Sequence, residues 1–324
     1  MAVTEDPVRV TQPSYLDWGA VGRSGNLRYL VGTVLILLIW FGGQAIVQAA
    51  LSPILGMRLE PDGSFTAPSA AANLAFNLVS FLPFFVATPL IVRYLHKRPV
   101  LTVVTPFLNL NWGLIAKGVG LWFLAAAITA VPATLMRSGD LRFQFDAGAF
   151  LVLLVIVAAF LIWQTTAEEL FFRGYLLQWF GKGRWRNPVF LGILSGLLFT
   201  VPHLANPEVR GAAGTDFLLG FLAYFSGGFV WGFVSVRSGT IELAIGAHFV
   251  NNLVNVLFIT VETSALGPTA LFIDTAPSVT EAGVTGVLSA VLFALFTWRI
   301  RGDGAVRPLP TASAGPTPGL PRPA

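Results

Sequence analysis

Apolar residues fill most of the chain in runs of about 20, and short polar gaps separate these runs. Because a helix rises about 1.5 Å per residue, about 20 apolar residues cross the hydrocarbon core of a bilayer. The pattern predicts an all-α fold, a polytopic membrane helix bundle of about eight transmembrane helices. The predicted spans are roughly 27–51, 71–95, 112–135, 148–176, 188–205, 215–236, 240–260 and 281–299.

The two ends of the chain differ from the apolar middle. Residues 1–26 are polar and are predicted to form a cytoplasmic N-terminal segment, followed by an eight-span membrane domain over 27–301. The first apolar run is too long for the core of a signal peptide, which indicates a retained first span. Residues 302–324 are rich in Pro, Gly and Ala and are predicted to be a disordered cytoplasmic tail.

The basic residues indicate how the chain is oriented. When the gaps are assigned to alternate sides of the membrane, fourteen Lys and Arg residues fall on one side and four on the other. Cytoplasmic loops carry such an excess, so we expect a multi-pass protein of the plasma membrane with both termini in the cytoplasm. The same bias explains the net charge of +4 without a nucleic-acid partner. The predicted partner of these spans is the lipid bilayer.

Composition narrows the available chemistry. The chain is 55% hydrophobic, 11% charged and contains no cysteine. It therefore has no disulfide, no thiolate metal site and no cysteine nucleophile. Any reaction must use carboxylate, imidazole, hydroxyl or amide groups.

The stretch QTTAEELFFRGYLLQWF, residues 164–180, places three charges at the end of the fourth predicted span. Ionisable side chains within lipid cost several kcal/mol and often mark functional sites. Glu169 and Arg173 are one helical turn apart and can pair, whereas Glu168 lies about 100° further round and has no such charged partner. The alternative is a helix end that reaches water and solvates all three charges.

Two further spans carry polar residues. FTVPHLANP contains His203, and ELAIGAHFVNNLVN contains His248 and Asn252 one turn apart, with Asn251 and Asn255 beside them. A hydrogen-bonded core histidine and polar contacts between helices are the alternatives to a functional site. The remaining histidine, in the loop LHKRP, is predicted to be solvated.

Helix geometry allows these three sets to meet. If spans four and five form a hairpin that turns near residues 184–185, Glu168 lies level with residue 201, close to His203, and His248 lies about 12 Å into span seven. We expect all three to converge in the cytoplasmic half of the bilayer. A carboxylate and an imidazole can take a proton from water, and a second imidazole with a carboxamide can stabilise an oxyanion. Such a set suits peptide hydrolysis.

The motifs EELFFR, FTVPH and HFVNN, in this order on three spans, resemble the EExxxR, FxxxH and HxxxN/D motifs of the CPBP family of intramembrane proteases. That family includes type II CAAX prenyl endopeptidases and bacterial abortive-infection and bacteriocin-immunity proteins. The resemblance covers roughly residues 150–260. It implies that Glu169 and Arg173 organise the site.

The resemblance also implies catalytic roles for four residues: Glu168 and His203 activate a water molecule, while His248 and Asn252 stabilise the oxyanion. The implied function is an intramembrane endopeptidase, similar to CAAX proteases, that cuts a membrane-associated substrate. A proton-coupled transporter and a non-catalytic relative that binds another membrane protein remain as alternatives.

No cofactor is certain from the sequence. Glu168, His203 and His248 would supply the ligands if zinc or another divalent metal were bound. However, the chain lacks the HExxH arrangement, and the resemblance is equally compatible with a glutamate-activated water molecule without a metal.

Overall fold

The computed structural model describes residues 14–302, apart from positions 62, 207, 208, 211, 263 and 265. Most of the predicted tail, residues 303–324, and the first 13 residues of the predicted N-terminal segment lie outside the described residues.

Ten α-helices make up most of the described part of the chain. Their bounds are α1 Asn26–Leu55, α2 Ala70–Ser80, α3 Leu82–Leu90, α4 Trp112–Met136, α5 Ala147–Glu169, α6 Leu177–Gly181, α7 Pro188–His203, α8 Gly214–Ser238, α9 Glu242–Leu257 and α10 Val279–Phe296. A π-helical turn, Ile91–Leu95, continues α3, and a π-helical segment, Leu170–Leu176, joins α5 to α6. Short 3₁₀ turns lie at Asp17–Ala20, Val100–Val103 and Ser138–Asp140.

Each of the eight predicted spans coincides with one helical stretch. Six of these stretches are long and apolar enough to cross a bilayer: Asn26–Leu55, Ala70–Leu95, Trp112–Met136, Ala147–Gly181, Gly214–Ser238 and Val279–Phe296. The other two, α7 and α9, have 16 residues each. At about 1.5 Å per residue they measure about 24 Å, which is shorter than the hydrocarbon core. The predicted polytopic helical membrane bundle is confirmed.

Polar residues in the gaps start and stop these helices. Side-chain oxygens of five N-cap residues accept hydrogen bonds from backbone N–H groups of the first turn: Ser69, Asn111, Asp146, Asn187 and Ser278. Gly56 and Gly239 end α1 and α8 with φ of 67° and 78°, which a residue without a side chain adopts at little cost. The local sequence therefore fixes where the spans begin and end.

Two small sheets connect helix ends in the described residues. Strands β1 (Arg58–Leu59) and β2 (Phe65–Thr66) pair antiparallel, whereas β5 (Phe272–Asp274) lies between β3 (Leu141–Phe143), antiparallel to it, and β4 (Ile259–Val261), parallel to it. The all-α prediction missed these strands because two or three residues are too few to show an alternating pattern.

Helix α9 packs against α4, α5 and α8 and thereby lies within the bundle. Its backbone touches that of α4: a Cβ added to Gly246 would lie 2.0 Å from the Ile115 carbonyl oxygen, and one added to Gly118 would lie 2.2 Å from the Leu243 carbonyl oxygen. Small residues permit such close approach between membrane helices. This contact sets the position of α9 and of the polar residues on it.

Candidate active site

The stretch QTTAEELFFRGYLLQWF spans the end of α5, the π-helical segment and most of α6. Glu168 and Glu169 are the last two residues of α5, and Arg173 lies in the π-helical segment. All three side chains are buried, so the alternative of a solvated helix end is wrong. π-helical turns within α-helices are rare and frequently occur at functional sites.

Glu169, Arg173 and His248 form a buried ionic cluster. Arg173 Nη1 donates to Glu169 Oε1 at 2.8 Å, which confirms the predicted pair one turn apart. His248 Nδ1 lies 2.8 Å from the same oxygen, so α9 is bound to the end of α5 through this carboxylate. Because Nδ1–H donates to Glu169, the other ring nitrogen of His248, Nε2, is not bound by this carboxylate.

Arg173 is enclosed by aromatic rings as well as by its carboxylate. Its guanidinium carbon lies 4.4 Å from the Phe199 ring centroid and 5.4 Å from that of Trp231, and Nη2 donates to the Gly228 carbonyl at 3.3 Å. A cation over a ring face is attracted by the negative face of the ring. The Trp231 ring also stacks on His248 at 4.6 Å between centroids. Phe199 and Trp231 therefore fix both the cation and the imidazole.

Glu168 has a different environment from its neighbour. Its Oε1 accepts a hydrogen bond from Gln164 Nε2 at 2.9 Å, one turn earlier on α5. Its Oε2 is buried, has no hydrogen-bond partner among the described residues, and lies 3.6 Å from His248 Nε2. Glu168 thus has one oxygen, Oε1, hydrogen-bonded to Gln164. The other, Oε2, faces His248 and has no hydrogen bond among the described residues.

Asn252 meets the same group from α9. Its Nδ2 donates to Gln164 Oε1 at 3.1 Å, and its Oδ1 accepts from Asn251 Nδ2 at 3.1 Å. Gln164 therefore bridges Asn252 and Glu168. The sequence analysis missed Gln164 because it considered only the three charges of this stretch, although the one-turn spacing from Glu168 was a readable signal.

His203 approaches the cluster from the end of α7. Its Nδ1 donates to the Phe199 carbonyl at 2.7 Å, and its ring lies 4.4 Å from the Phe199 ring and 4.6 Å from the Tyr224 ring, between centroids. It interacts electrostatically with both Glu168 and His248. The described contacts of Glu168 with an imidazole are with His248, and no hydrogen bond joins His203 to Glu168 there.

The chain before α1 packs against the back of the site. The Tyr15 hydroxyl donates to the Arg173 carbonyl, Gln178 Nε2 donates to the Tyr15 carbonyl at 3.0 Å, and Arg98 donates to the Trp18 carbonyl. Burial, followed by the negative charge of Glu169, raises the pKa of Tyr15, so its hydroxyl keeps its proton. This segment therefore supports the backbone that carries Arg173.

His96 lies under the same segment, and the prediction of a solvated loop residue is wrong. The side chain is 0% exposed, its Nδ1 donates to the Arg23 carbonyl at 2.8 Å, and its Nε2 lies 2.9 Å from the Tyr175 hydroxyl. Burial lowers the pKa of His96 to about 4, so the ring is neutral near pH 7. Tyr175 belongs to the π-helical segment, which links His96 to the candidate site.

A metal site needs several ligand atoms that converge on one point. In the part of the chain that the structure describes, no group of three His, Cys, Asp or Glu side chains is arranged to hold a metal ion. Glu168, His203 and His248, the ligands expected if a metal were bound, do not form such a group in the described residues.

Fold and site together define a polytopic helical membrane protein with carboxylate, imidazole and amide groups gathered inside the bundle. The region from 147 to 254 matches the model of the Rce1-like family of type II CAAX prenyl endopeptidases. The uncharacterized protein YyaK of Bacillus subtilis (strain 168) is 35% identical over 212 residues, covering 64% of this chain and 69% of YyaK. No solved structure matches the chain significantly. The chain belongs to the CPBP family of intramembrane proteases, with the Rce1-like type II CAAX prenyl endopeptidases.

Proposed function

We propose that this protein is an intramembrane endopeptidase that hydrolyses a peptide bond of a membrane-associated substrate, as CAAX proteases do, with a water molecule activated by Glu168. The observation that carries the proposal is the free Oε2 of Glu168, which is buried 3.6 Å from His248 Nε2. A buried carboxylate oxygen without a partner is costly, and a water molecule or substrate would satisfy it.

Glu168 is the general base. Gln164 occupies Oε1, so Oε2 is the oxygen that receives the proton of the attacking water. His203 supports this step because its Nδ1–H is committed to the Phe199 carbonyl, and the neutral ring therefore offers Nε2 as an acceptor. General-base catalysis of this kind typically contributes 10²- to 10⁴-fold to the rate.

His248 and Asn252 stabilise the oxyanion. The Nδ1–H of His248 is held by Glu169, so Nε2 is the ring nitrogen left to face the substrate. Asn252 gives one amide hydrogen to Gln164 and retains a second for the oxyanion. Removal of one such donor typically costs about 10²- to 10³-fold in kcat.

The steps balance without a further reagent. The water oxygen forms a bond to the peptide carbonyl carbon while one of its protons passes to Glu168. The resulting oxyanion is held by His248 and Asn252. When the C–N bond breaks, Glu168 returns that proton to the leaving nitrogen. The second proton of the water molecule passes from the new carboxylic acid to the new amino terminus, so the products are a carboxylate and an ammonium group. Glu169 and Arg173 take no part in bond formation and hold His248 in place.

We place the protein in the plasma membrane, and the excess of basic residues in alternate loops supports an orientation with both termini in the cytoplasm. In that orientation the site lies in the cytoplasmic half of the bilayer. A substrate would reach it as a peptide segment that lies at the cytoplasmic surface or as the end of a membrane helix.

The test uses purified protein in liposomes and a panel of quenched-fluorescent peptides, with and without a prenyl group. Glu168→Gln should lower kcat at least 10²-fold while the helical content is retained, because the amide cannot take the proton. Glu262→Gln is the matched control, since Glu262 is 59% exposed and pairs with Arg142, which is not a residue of the site. Full activity of Glu168→Gln would overturn the proposal. Mass spectrometry of membrane-protein termini in cells with wild type or Glu168→Gln would identify the natural substrate.

A further inference from the structure

Four hydrogen bonds connect the indole of Trp122 to the carboxylate of Glu168. Trp122 Nε1 donates to Asn251 Oδ1 at 3.3 Å, and Asn251 Nδ2 donates to Asn252 Oδ1 at 3.1 Å. Asn252 Nδ2 donates to Gln164 Oε1 at 3.1 Å, and Gln164 Nε2 donates to Glu168 Oε1 at 2.9 Å. We call Trp122, Asn251, Asn252 and Gln164 the amide chain. It crosses from α4 through α9 to α5.

The direction of the amide chain follows from the residue types at its two ends. An indole N–H can only donate, so Asn251 must turn its oxygen toward Trp122 and its NH₂ group toward Asn252. Each later amide is oriented in turn by the one before it. At the far end Oε1 of Glu168 accepts the last N–H, that of Gln164. Both ends therefore impose the same sense on every amide between them.

We propose that the amide chain positions the two groups that act on the substrate, with Trp122, Asn251 and Gln164 as positioning residues. This inference rests on the proposed peptidase function. By occupying Oε1 of Glu168, Gln164 leaves Oε2 as the oxygen that meets the water. Asn251 binds the side-chain oxygen of Asn252, and Gln164 binds one of its two amide hydrogens. A single N–H of Asn252 is then left for the oxyanion.

Burial and polarisation make this arrangement effective. Trp122 and Gln164 are each 4% exposed, so water competes poorly for their hydrogen bonds. Donors and acceptors aligned in one direction polarise one another, which strengthens the final bond to the carboxylate. Asn255 lies outside the amide chain: it is exposed and donates to the Asn251 backbone carbonyl at 2.8 Å. It therefore serves as a control on the same helix.

The first experiment measures kcat and KM of three variants. Asn251→Asp still accepts from Trp122 but has no N–H for Asn252, and Trp122→Phe keeps an aromatic ring but loses the donor. Each should lower kcat about tenfold with KM within about twofold, and Gln164→Leu, which removes two links, about 100-fold. The matched controls are Asn255→Asp and Trp163→Phe, because Trp163 is exposed on α5. Equal kcat in variants and controls would overturn the inference.

The second experiment is independent of turnover. The infrared carboxylate bands of Glu168, isolated as the difference between wild type and Glu168→Gln, should shift in Asn251→Asp, Trp122→Phe and Gln164→Leu but not in the two controls. If wild type cleaves no peptide while these bands shift, the proposed function fails and the amide chain stands. If wild type cleaves peptides and the bands are the same in all variants, the amide chain has no positioning role.

Discussion

Replacement of Arg173 by methionine tests how the cluster is held together. Methionine is unbranched and uncharged, so the change removes the ion pair and keeps the part of the packing volume that the aliphatic stem of Arg173 fills. Both partners of the pair, Arg173 and Glu169, are 0% exposed, and their N and O atoms are 2.8 Å apart. The variant leaves the Glu169 carboxylate in the bundle without its cation.

The expected cost can be worked out from these contacts. Removal of one partner from a buried pair typically costs 3–5 kcal/mol, because the remaining charge is uncompensated. His248 Nδ1 remains 2.8 Å from Glu169 and offsets part of this penalty, so we expect the low end, about 3 kcal/mol. The double variant Glu169→Gln/Arg173→Met leaves no unpaired charge and should be more stable than Arg173→Met by about 1 kcal/mol or more.

The assay is equilibrium unfolding in mixed detergent, followed by tryptophan fluorescence, for the two single variants and the double variant. Arg142→Met is the matched control, because its pair with Glu262 has the same chemistry with side chains that are 55% and 59% exposed. Exposed pairs contribute about 0–1 kcal/mol. If Arg173→Met cost no more than Arg142→Met, or if the double variant were less stable than both single variants, the reasoning about a buried charge would be refuted.

Two more outcomes are expected. Burial lowers the pKa of His96 to about 4 from an ordinary 6.5, so at pH values between these two the unfolded chain binds more protons at His96 than the folded chain does. The contribution of His96 to stability should therefore be constant above about pH 6.5, fall by up to about 3 kcal/mol toward pH 4, and be absent in His96→Gln. An unchanged slope between pH 4 and 6.5 in unfolding titrations of His96→Gln would contradict this. A Cβ on Gly246 would lie 2.0 Å from the Ile115 carbonyl oxygen, so Gly246→Ala should displace α9 and lower both the melting temperature and the activity. Gly120→Ala is the control, because a Cβ there would have nothing within 4 Å, and it should lower neither. Equal melting temperatures of the two alanine variants would show that α4 and α9 do not depend on this contact.

The helices could be predicted from sequence because hydropathy and helix length are local properties. All eight predicted spans lie on helices, and the pair of Glu169 with Arg173 follows from their one-turn spacing. The partner of Glu168 could not be predicted in the same way. Reflection about a hairpin turn gives the depth of His203 but not the face of α7 on which it lies. The imidazole that directly faces Glu168 belongs to α9 and is His248.

Other features depend on contacts between distant parts of the chain. The loop LHKRP looks solvated because His96 stands among basic residues, yet Tyr29 of α1, Arg23 and Tyr175 surround the ring. The π-helical segment Leu170–Leu176 has no local sequence signal, since it forms where the helix packs against Val103 and the N-terminal segment. Such features require the tertiary structure.

The pair of Glu169 with Arg173 also matters during biosynthesis. His248, the second partner of Glu169, comes 79 residues later in the chain, and Tyr15, which binds the Arg173 carbonyl, is synthesised 158 residues before it. At roughly 5–20 residues per second, α5 precedes His248 by roughly 4–16 seconds. During that interval the cation and one carboxylate can already neutralise each other within a single helix, so α5 can enter the bilayer before the residues that complete the site exist.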